Sequence, residues 1–267
     1  MQKHFENAIV VITGGGRGIG RATALEFAAE GATCVLAGRR MDALHTAVQE
    51  CRDAGGRGEA VHCDVVKDED LQRLVGHTIA TYGRIDVLVN NAGVLAGGRL
   101  DEIDREDIGR IVGVNVWAPM RLAQLALPHM REAKRGTIVN VSSVAGRIGV
   151  PYYAAYSASK FAMRGFSEAL RREVRPDGIH VVGVYPGGTA TDMLENIDFD
   201  RIGMSIATAE QVARAIRNGV RWHIPEVFVG LTDAMMSGFN EFLPWGVDFG
   251  VDLFRDQFRR SIPQAKA

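Results

Sequence analysis

Residues 8–20 read AIVVITGGGRGIG, and RATALEFAAEG follows directly at 21–31. A β-branched run that ends in clustered glycines and passes at once into a helix-forming stretch predicts strand, tight turn and helix in that order. Glycines remove the Cβ atoms that would keep a phosphate away from the backbone. A helix start adds unpaired N–H groups and the positive end of its dipole. The run misses the strict Gly-x-Gly-x-x-Gly spacing, because Ile19 falls in the last glycine slot counted from Gly14 and Arg21 in that counted from Gly16. It also misses the P-loop pattern, since Gly20 is followed by Arg21 and Ala22 and not by Lys and Ser or Thr. What remains is Gly14-x-x-x-Gly18-x-Gly20, readable as a cradle for a diphosphate or as a purely structural turn.

The same alternation repeats along the chain. Short apolar runs at 8–12, 33–37, 58–63, 85–90, 136–141, 179–184 and 226–230 predict strands. The stretches 18–30, 41–54, 67–82, 105–133, 156–175 and 209–221 carry apolar residues every three or four positions and predict helices. The strands read as continuous apolar runs without in/out alternation, the pattern of parallel strands covered on both faces. The expectation is a single doubly wound α/β Rossmann-fold domain, residues 1–231, with a mostly parallel seven-stranded sheet flanked by helices on both faces. Residues 232–267 are expected to form a C-terminal extension packed on that domain or on a partner subunit. In such a sheet ligands sit beyond the carboxyl ends of the strands, near the switch in strand order.

Composition excludes several classes. Among 267 residues, 31 Lys plus Arg oppose 32 Asp plus Glu, for a formal charge of −1, so nothing attracts nucleic acid in bulk. A 46% hydrophobic content supplies a sizeable core, and 31 glycines suggest many close backbone approaches. Cys34, Cys51 and Cys63 form no CxxC pair and read as buried thiols. Seven scattered His include no HExxH, so no metal site is expected. No apolar run reaches the roughly 18 residues of a membrane span, and the stretch before the glycines is too short for a signal peptide. A cytoplasmic location is the expectation.

The second strand ends in Gly38-Arg39-Arg40. An acid at that point would bind the adenosine ribose hydroxyls of a dinucleotide, whereas arginine accommodates a 2′-phosphate. With Arg17 in the glycine loop, Arg39 offers the guanidinium geometry that phosphate favours, which points to NADP(H) over NAD(H). Solvated surface arginines are the alternative reading.

Of five tyrosines, only Tyr156 has a lysine four positions on, Lys160, in the helix-forming segment YSASKFAMRGFSEALRREV. That spacing puts both on one helix face. A nearby ammonium stabilises a phenolate, so such a Tyr could exchange a proton with a carbonyl or alcohol oxygen while hydride moves at the neighbouring carbon. Surface helices carry the same pair without any such role. Other polar groups, however, stand at neighbouring strand ends: Ser142 and Ser143 after GTIVNV, and Asn90 and Asn91 before Ala92 and Gly93. Asn115 lies in a helical stretch.

As a set, TGGGRGIG at 13–20, Asp64, NNAG at 90–93, Asn115, the serine-ended strand, YSASK at 156–160 and PGGTAT at 186–191 resemble the short-chain dehydrogenase/reductase family, over about residues 7–190. The resemblance implies a tetrad. Tyr156 would be the acid/base, and Lys160 would lower its pKa and bind the nicotinamide ribose. Ser143 would orient the substrate oxygen, with Ser142 structural. Asn115 would hold the water of a proton relay. It further implies cofactor contacts from Gly14, Arg17, Gly18, Ile19, Gly20 and Arg39, from Asp64 and Val65 at the adenine, and from Asn91, Ala92 and Gly93 along the adenosine. Pro186, Gly187, Thr189 and Thr191 would meet the nicotinamide; Thr189 stands where an apolar residue is frequent. The implied activity is NADP(H)-dependent hydride transfer between nicotinamide and a secondary alcohol or carbonyl. An NAD-dependent alcohol dehydrogenase of the same family is the alternative. So is a dinucleotide-binding regulatory protein without redox chemistry, although the latter has no need of the four polar residues together.

On the substrate side, Met193, Leu194, Ile197, Phe199, Ile202 and Met204 suggest an apolar alcohol or carbonyl, or simple helix packing. The extension carries Phe239, Phe242, Leu243, Trp245, Phe249, Leu253, Phe254 and Phe258, with Pro244, Gly246 and Gly250 interrupting any long helix. Packing, a cover for the substrate mouth and peripheral contact with a membrane are the readings open to it. The resemblance also implies a homodimer or homotetramer through the helices at 105–133 and 156–175.

Overall fold

The computed structural model describes residues 3–189 and 206–253. Seven strands form one sheet in the order β3-β2-β1-β4-β5-β6-β7. They are β1 (Ile9–Thr13), β2 (Thr33–Gly38), β3 (Arg57–His62), β4 (Val87–Asn90), β5 (Gly136–Val141), β6 (Ile179–Tyr185) and β7 (Glu226–Phe228). Every pairing between them is parallel, so the sheet is wholly and not merely mostly parallel. From β1 the chain winds outward through β2 and β3, then returns to β4 on the other side of β1. The switch in strand order therefore falls between β1 and β4, where a crevice opens at their carboxyl ends.

Helices α1 (Gly18–Ala29), α2 (Met41–Asp53), α3 (Asp68–Tyr82), α4 (Arg105–Val112), α5 (Ala118–Ala133), α6 (Ala154–Val174) and α7 (Ala209–Arg221) cover the sheet. On one face Val10, Ile12, Leu36 and Val184 meet Phe27 of α1, Leu44 of α2 and Ile216 of α7. On the other, Val11, Val35, Leu88 and Ile138 meet Leu74 of α3, Leu122 and Met130 of α5 and Leu170 of α6. Neighbouring strand residues thus enter opposite cores, which is why the strands carry continuous apolar runs. Each fully buried Leu or Phe contributes about 2 kcal/mol. The three cysteines are buried free thiols.

Two elements differ from the sequence reading. The stretch expected as one helix over 105–133 is interrupted by a π-helical turn, Gly113–Trp117, in which the Ala118 N–H reaches back to the Gly113 carbonyl. Such a turn inserts one residue into the helix and redirects the side chains around it. The extension is also more helical than its Pro and Gly content suggests. It forms α8 (Leu231–Phe242) and α9 (Pro244–Leu253), and Pro244 stands at the first position of the second helix, where its missing N–H costs nothing. Among the described residues no helix is long and apolar enough to cross a membrane.

Candidate active site

The glycine loop owes its shape to two close approaches. Gly14 and Gly18 hold φ of +65° and +50°, a region costly for residues with a Cβ. At Gly20 an added Cβ would lie 2.3 Å from the Gly14 carbonyl oxygen, so the first turn of α1 rests directly on the loop. The loop is also tied to β4. The Asn91 amide donates to the carbonyls of Thr13 (2.9 Å) and Gly14 (3.3 Å), and the Thr13 hydroxyl accepts from the N–H groups of Asn91 and Ala92, both at 3.1 Å. Asn91 therefore serves the loop with its side chain. Thr13 was not singled out from the sequence; its one signal was a hydroxyl at the last position of the first strand.

A cleft of about 580 Å³ runs along the carboxyl edge of the sheet. Gly14, Arg17, Gly18, Ile19, Arg39, Asp64, Val65, Asn91, Ala92 and Gly93 line it, as do Ser143, Tyr156, Lys160, Pro186, Gly187 and Thr189. Two predicted residues stand back from its wall, Gly20 behind the loop and Asn115 beneath it; Thr191 lies outside the described residues, as do the apolar positions between 193 and 204. Arg40 and Arg110 join the lining unforeseen. Arg39 and Arg40 are exposed and α2 begins directly after them, so the end of β2 presents cations and no carboxylate. The fit to a dinucleotide is good. The start of α1 opens into the cleft through Gly18, and the cations stand where strand order places an adenosine end.

Further along the cleft, α6 carries Tyr156 and Lys160 one turn apart. The Lys160 ammonium donates to the Val141 carbonyl at 3.1 Å and lies 5.6 Å from the centroid of the Tyr156 ring. Burial in a low-dielectric site disfavours both charged forms, pushing Tyr156 up to about 12 and Lys160 down to about 8. The Ser143 hydroxyl pulls the phenol back toward its ordinary value. The cation faces the ring and a carbonyl. The Tyr156 phenol is consequently protonated at neutral pH.

Ser143 caps the short 3-10 turn Val144–Gly146, its hydroxyl accepting from the Ala145 N–H at 3.1 Å. The buried Ser142 hydroxyl instead donates to the Lys160 carbonyl at 3.0 Å, binding the strand end to α6. Asn115 sits in the π turn and is buried. Its Oδ1 accepts from the Val94 N–H at 2.9 Å, while its Nδ2 donates to the Val94 carbonyl at 2.9 Å and to Ser159 Oγ at 3.1 Å. Both amide hydrogens thus fix the segment after β4 to the helix of Tyr156 and Lys160.

The extension completes the wall. Asp233, Met236 and Val247 line the cleft, and Val247 packs on Val144 and Ile148 just beyond Ser143. The Asp233 carboxylate accepts from the backbone N–H groups of Gly187 and Gly230, while burial pushes its pKa up. An added Cβ at Gly187 would lie 2.8 Å from both carboxylate oxygens, so this approach needs glycine. No local signal in the sequence marks these residues.

A parallel doubly wound sheet with a glycine loop at its switch point, and a half-buried Tyr and Ser beside a buried Lys in the same cleft, defines a dinucleotide-binding α/β oxidoreductase. The family model described as short chain dehydrogenase matches residues 8–201, and the chain belongs to that family. It is 38% identical over 220 residues to "11-beta-hydroxysteroid dehydrogenase-like 4A" of Arabidopsis thaliana, covering 79% of this chain and 73% of that one. It is 37% identical over 191 residues to an "Uncharacterized oxidoreductase" of Thermotoga maritima, covering 72% and 75%. To the "Cyclopentanol dehydrogenase" of a Comamonas species it is 38% identical over 189 residues, covering 71% and 76%. The protein is an oxidoreductase of alcohol or carbonyl groups that uses a nicotinamide cofactor.

Proposed function

We propose that the protein is an NADP(H)-dependent oxidoreductase that interconverts an apolar, ring-borne secondary alcohol and its ketone. The observation that carries the reading is the meeting of Tyr156, Ser143 and Lys160 in one cleft whose far end presents Arg39 and Arg40. Arg17 and Arg39 hold the 2′-phosphate, since no carboxylate at the end of β2 competes for the ribose. A nicotinamide held in this cleft would supply the hydride in reduction and accept it in oxidation.

The chain's own residues do the rest. Tyr156, kept protonated by burial, gives its phenolic proton to the carbonyl oxygen; in the oxidative direction it takes a proton from the alcohol. Ser143 donates a hydrogen bond to the same oxygen and aligns it. Lys160, with its value of about 8, is cationic at neutral pH, so it binds the ribose hydroxyls and offsets negative charge that develops on Tyr156. Asn115 and Ser142 act by fixing α6. Val144, Ile148, Met236 and Val247 form an apolar wall for the substrate body. An apolar ring is the feature common to the substrates that two of the relatives' names indicate.

Exposed Trp117 and Met120 near the start of α5, and Phe161 on α6, support a homodimer or homotetramer built through these helices. A cytoplasmic location belongs to the same reading.

The test is to incubate the protein with NADPH or NADH and a panel of cyclic ketones and follow the absorbance of the reduced nicotinamide. NADPH-dependent turnover is expected, and Tyr156→Phe should lower it by about 10²- to 10⁴-fold while NADPH binding is unchanged. Near-wild-type turnover by that variant would overturn the mechanism. A tenfold preference for NADH would overturn the cofactor assignment.

A further inference from the structure

Helix α8 is amphipathic in the reverse sense. Four of its polar side chains bond back to the protein: Asp233 takes the Gly187 and Gly230 N–H groups, and the buried Ser237 donates to the Asp233 carbonyl at 2.7 Å. Asn240 donates to the Arg147 carbonyl at 3.0 Å, and Glu241 pairs with the Arg147 guanidinium at 2.9 Å. Its outward stripe is Leu231, Met235, Phe239 and Phe242, at the four-, four- and three-residue steps of one helix face. Exposure along that stripe runs from 51% at Phe239 to 87% at Phe242. Helix α9 continues the pattern. Trp245 and Phe249, one turn apart, are exposed, while Val247 between them turns in to Val144 and Ile148.

A helix on a water-bathed protein places its apolar stripe against the core. Here the core side is polar and six large apolar side chains face away, so the surroundings that suit this face are themselves apolar. We propose that the α8–α9 face seats the protein on an anionic lipid surface. Aromatic side chains make up four of the six, the composition that lies well at the boundary between headgroups and acyl chains. No charged side chain belongs to the stripe; the exposed Asp248 flanks Trp245 and Phe249. Directly after α9 the sequence turns basic, with Arg255, Arg259, Arg260 and Lys266 against Asp256 alone, in a chain that is −1 overall. A basic stretch that follows an apolar face in sequence favours anionic headgroups over a second copy of the same cationic tail. At 12 and 10 residues, the two helices are too short to span a bilayer and so lie in its plane. Met236, on the same helix, lines the cleft that also holds Tyr156, so the face adjoins the site that would receive an apolar compound dissolved in lipid.

The test uses full-length protein without cofactor or substrate, so its outcome is separate from the redox reading. Co-sedimentation is measured with vesicles of phosphatidylcholine alone and mixed with phosphatidylglycerol. The wild type should pellet with the mixed vesicles, less so on phosphatidylcholine or at high salt. Phe242→Ser/Trp245→Ser should lower the partition at least about tenfold, with an unchanged unfolding temperature. A second readout guards against misfolding of that variant: tryptophan emission should shift to the blue on mixed vesicles, and Trp245→Phe should remove the shift. Protein that stays in the supernatant, or a double variant that partitions as well as the wild type, would overturn the proposal. So would an oligomer that the double substitution turns into monomer with no vesicle binding in either form, which would assign the face to a second copy.

Discussion

Glu241, in the last turn of α8, reaches the guanidinium of Arg147 at 2.9 Å across 94 residues of sequence. Arg147 follows Ser143 by four positions and is almost fully buried, with its guanidinium 4.6 Å from the centroid of the Tyr185 ring and paired also with Glu226. The extension is thereby fastened to the loop that carries Ser143. Removing one partner of a buried cation commonly costs about 3–5 kcal/mol, but Glu226 remains and Glu241 is partly solvated. Glu241→Ala should therefore cost about 1–2 kcal/mol in urea unfolding. It should also raise KM for the carbonyl more than it lowers kcat, because the wall formed by Met236 and Val247 loosens. Unchanged stability and KM would show that the pair does not hold the wall.

The pH dependence of stability should carry the mark of Lys160. Its folded value of about 8 lies below the ordinary 10.5, so between those pH values the unfolded chain binds more protons and stability rises with pH. Tyr156, raised to about 12, acts oppositely, but only above its ordinary 10.0. Cys63, also raised to about 12, acts oppositely from about pH 9. The clean window is pH 8–9. Over it the difference in unfolding free energy between wild type and Lys160→Met should grow by about 1 kcal/mol in favour of the wild type. A flat difference would place the ammonium in a wetter site.

At the end of β2, Arg39→Gln removes a charge from an exposed residue. It should leave stability unchanged and lower kcat/KM for NADPH at least about tenfold, with little effect on NADH, since one charge-assisted pair to a phosphate contributes about 1.5–3 kcal/mol. Equal losses with both cofactors would argue against a 2′-phosphate contact.

Gly20→Ala tests the glycine loop without touching the cleft. The new Cβ would meet the Gly14 carbonyl oxygen at 2.3 Å and the Asn91 amide at 2.5 Å, both of them fixed groups. The loop must move, and dinucleotide affinity measured by NADPH fluorescence should fall by more than tenfold, with a loss of about 1–3 kcal/mol in stability. Gly76→Ala, where nothing lies within 4 Å, is the control and should be neutral or slightly stabilising.

The alternation of strand and helix, the glycine turn and the Tyr156–Lys160 spacing were all present in the linear order of residues. Each rests on forces that act over a few positions: side-chain period, backbone freedom at glycine, one turn of a helix. The absence of an acid after β2 was legible for the same reason, because a strand end marks its own place in a parallel sheet. Other features were settled only by folding. The Thr13–Asn91 stitch, the clamp of Asn115 on Val94 and Ser159, the seat of Asp233 on Gly187 and the Arg147–Glu241 tie join segments far apart in the chain. Which of them meet depends on strand register and helix placement, neither of which the local pattern encodes. The π turn that aims Asn115 inward is hidden likewise, since one extra residue in a helix leaves its apolar periodicity almost intact. The proton on Tyr156 belongs to the same group: residue identity supplied a phenol and an ammonium, but the dielectric around them, and hence which charge wins, exists only once the core has closed.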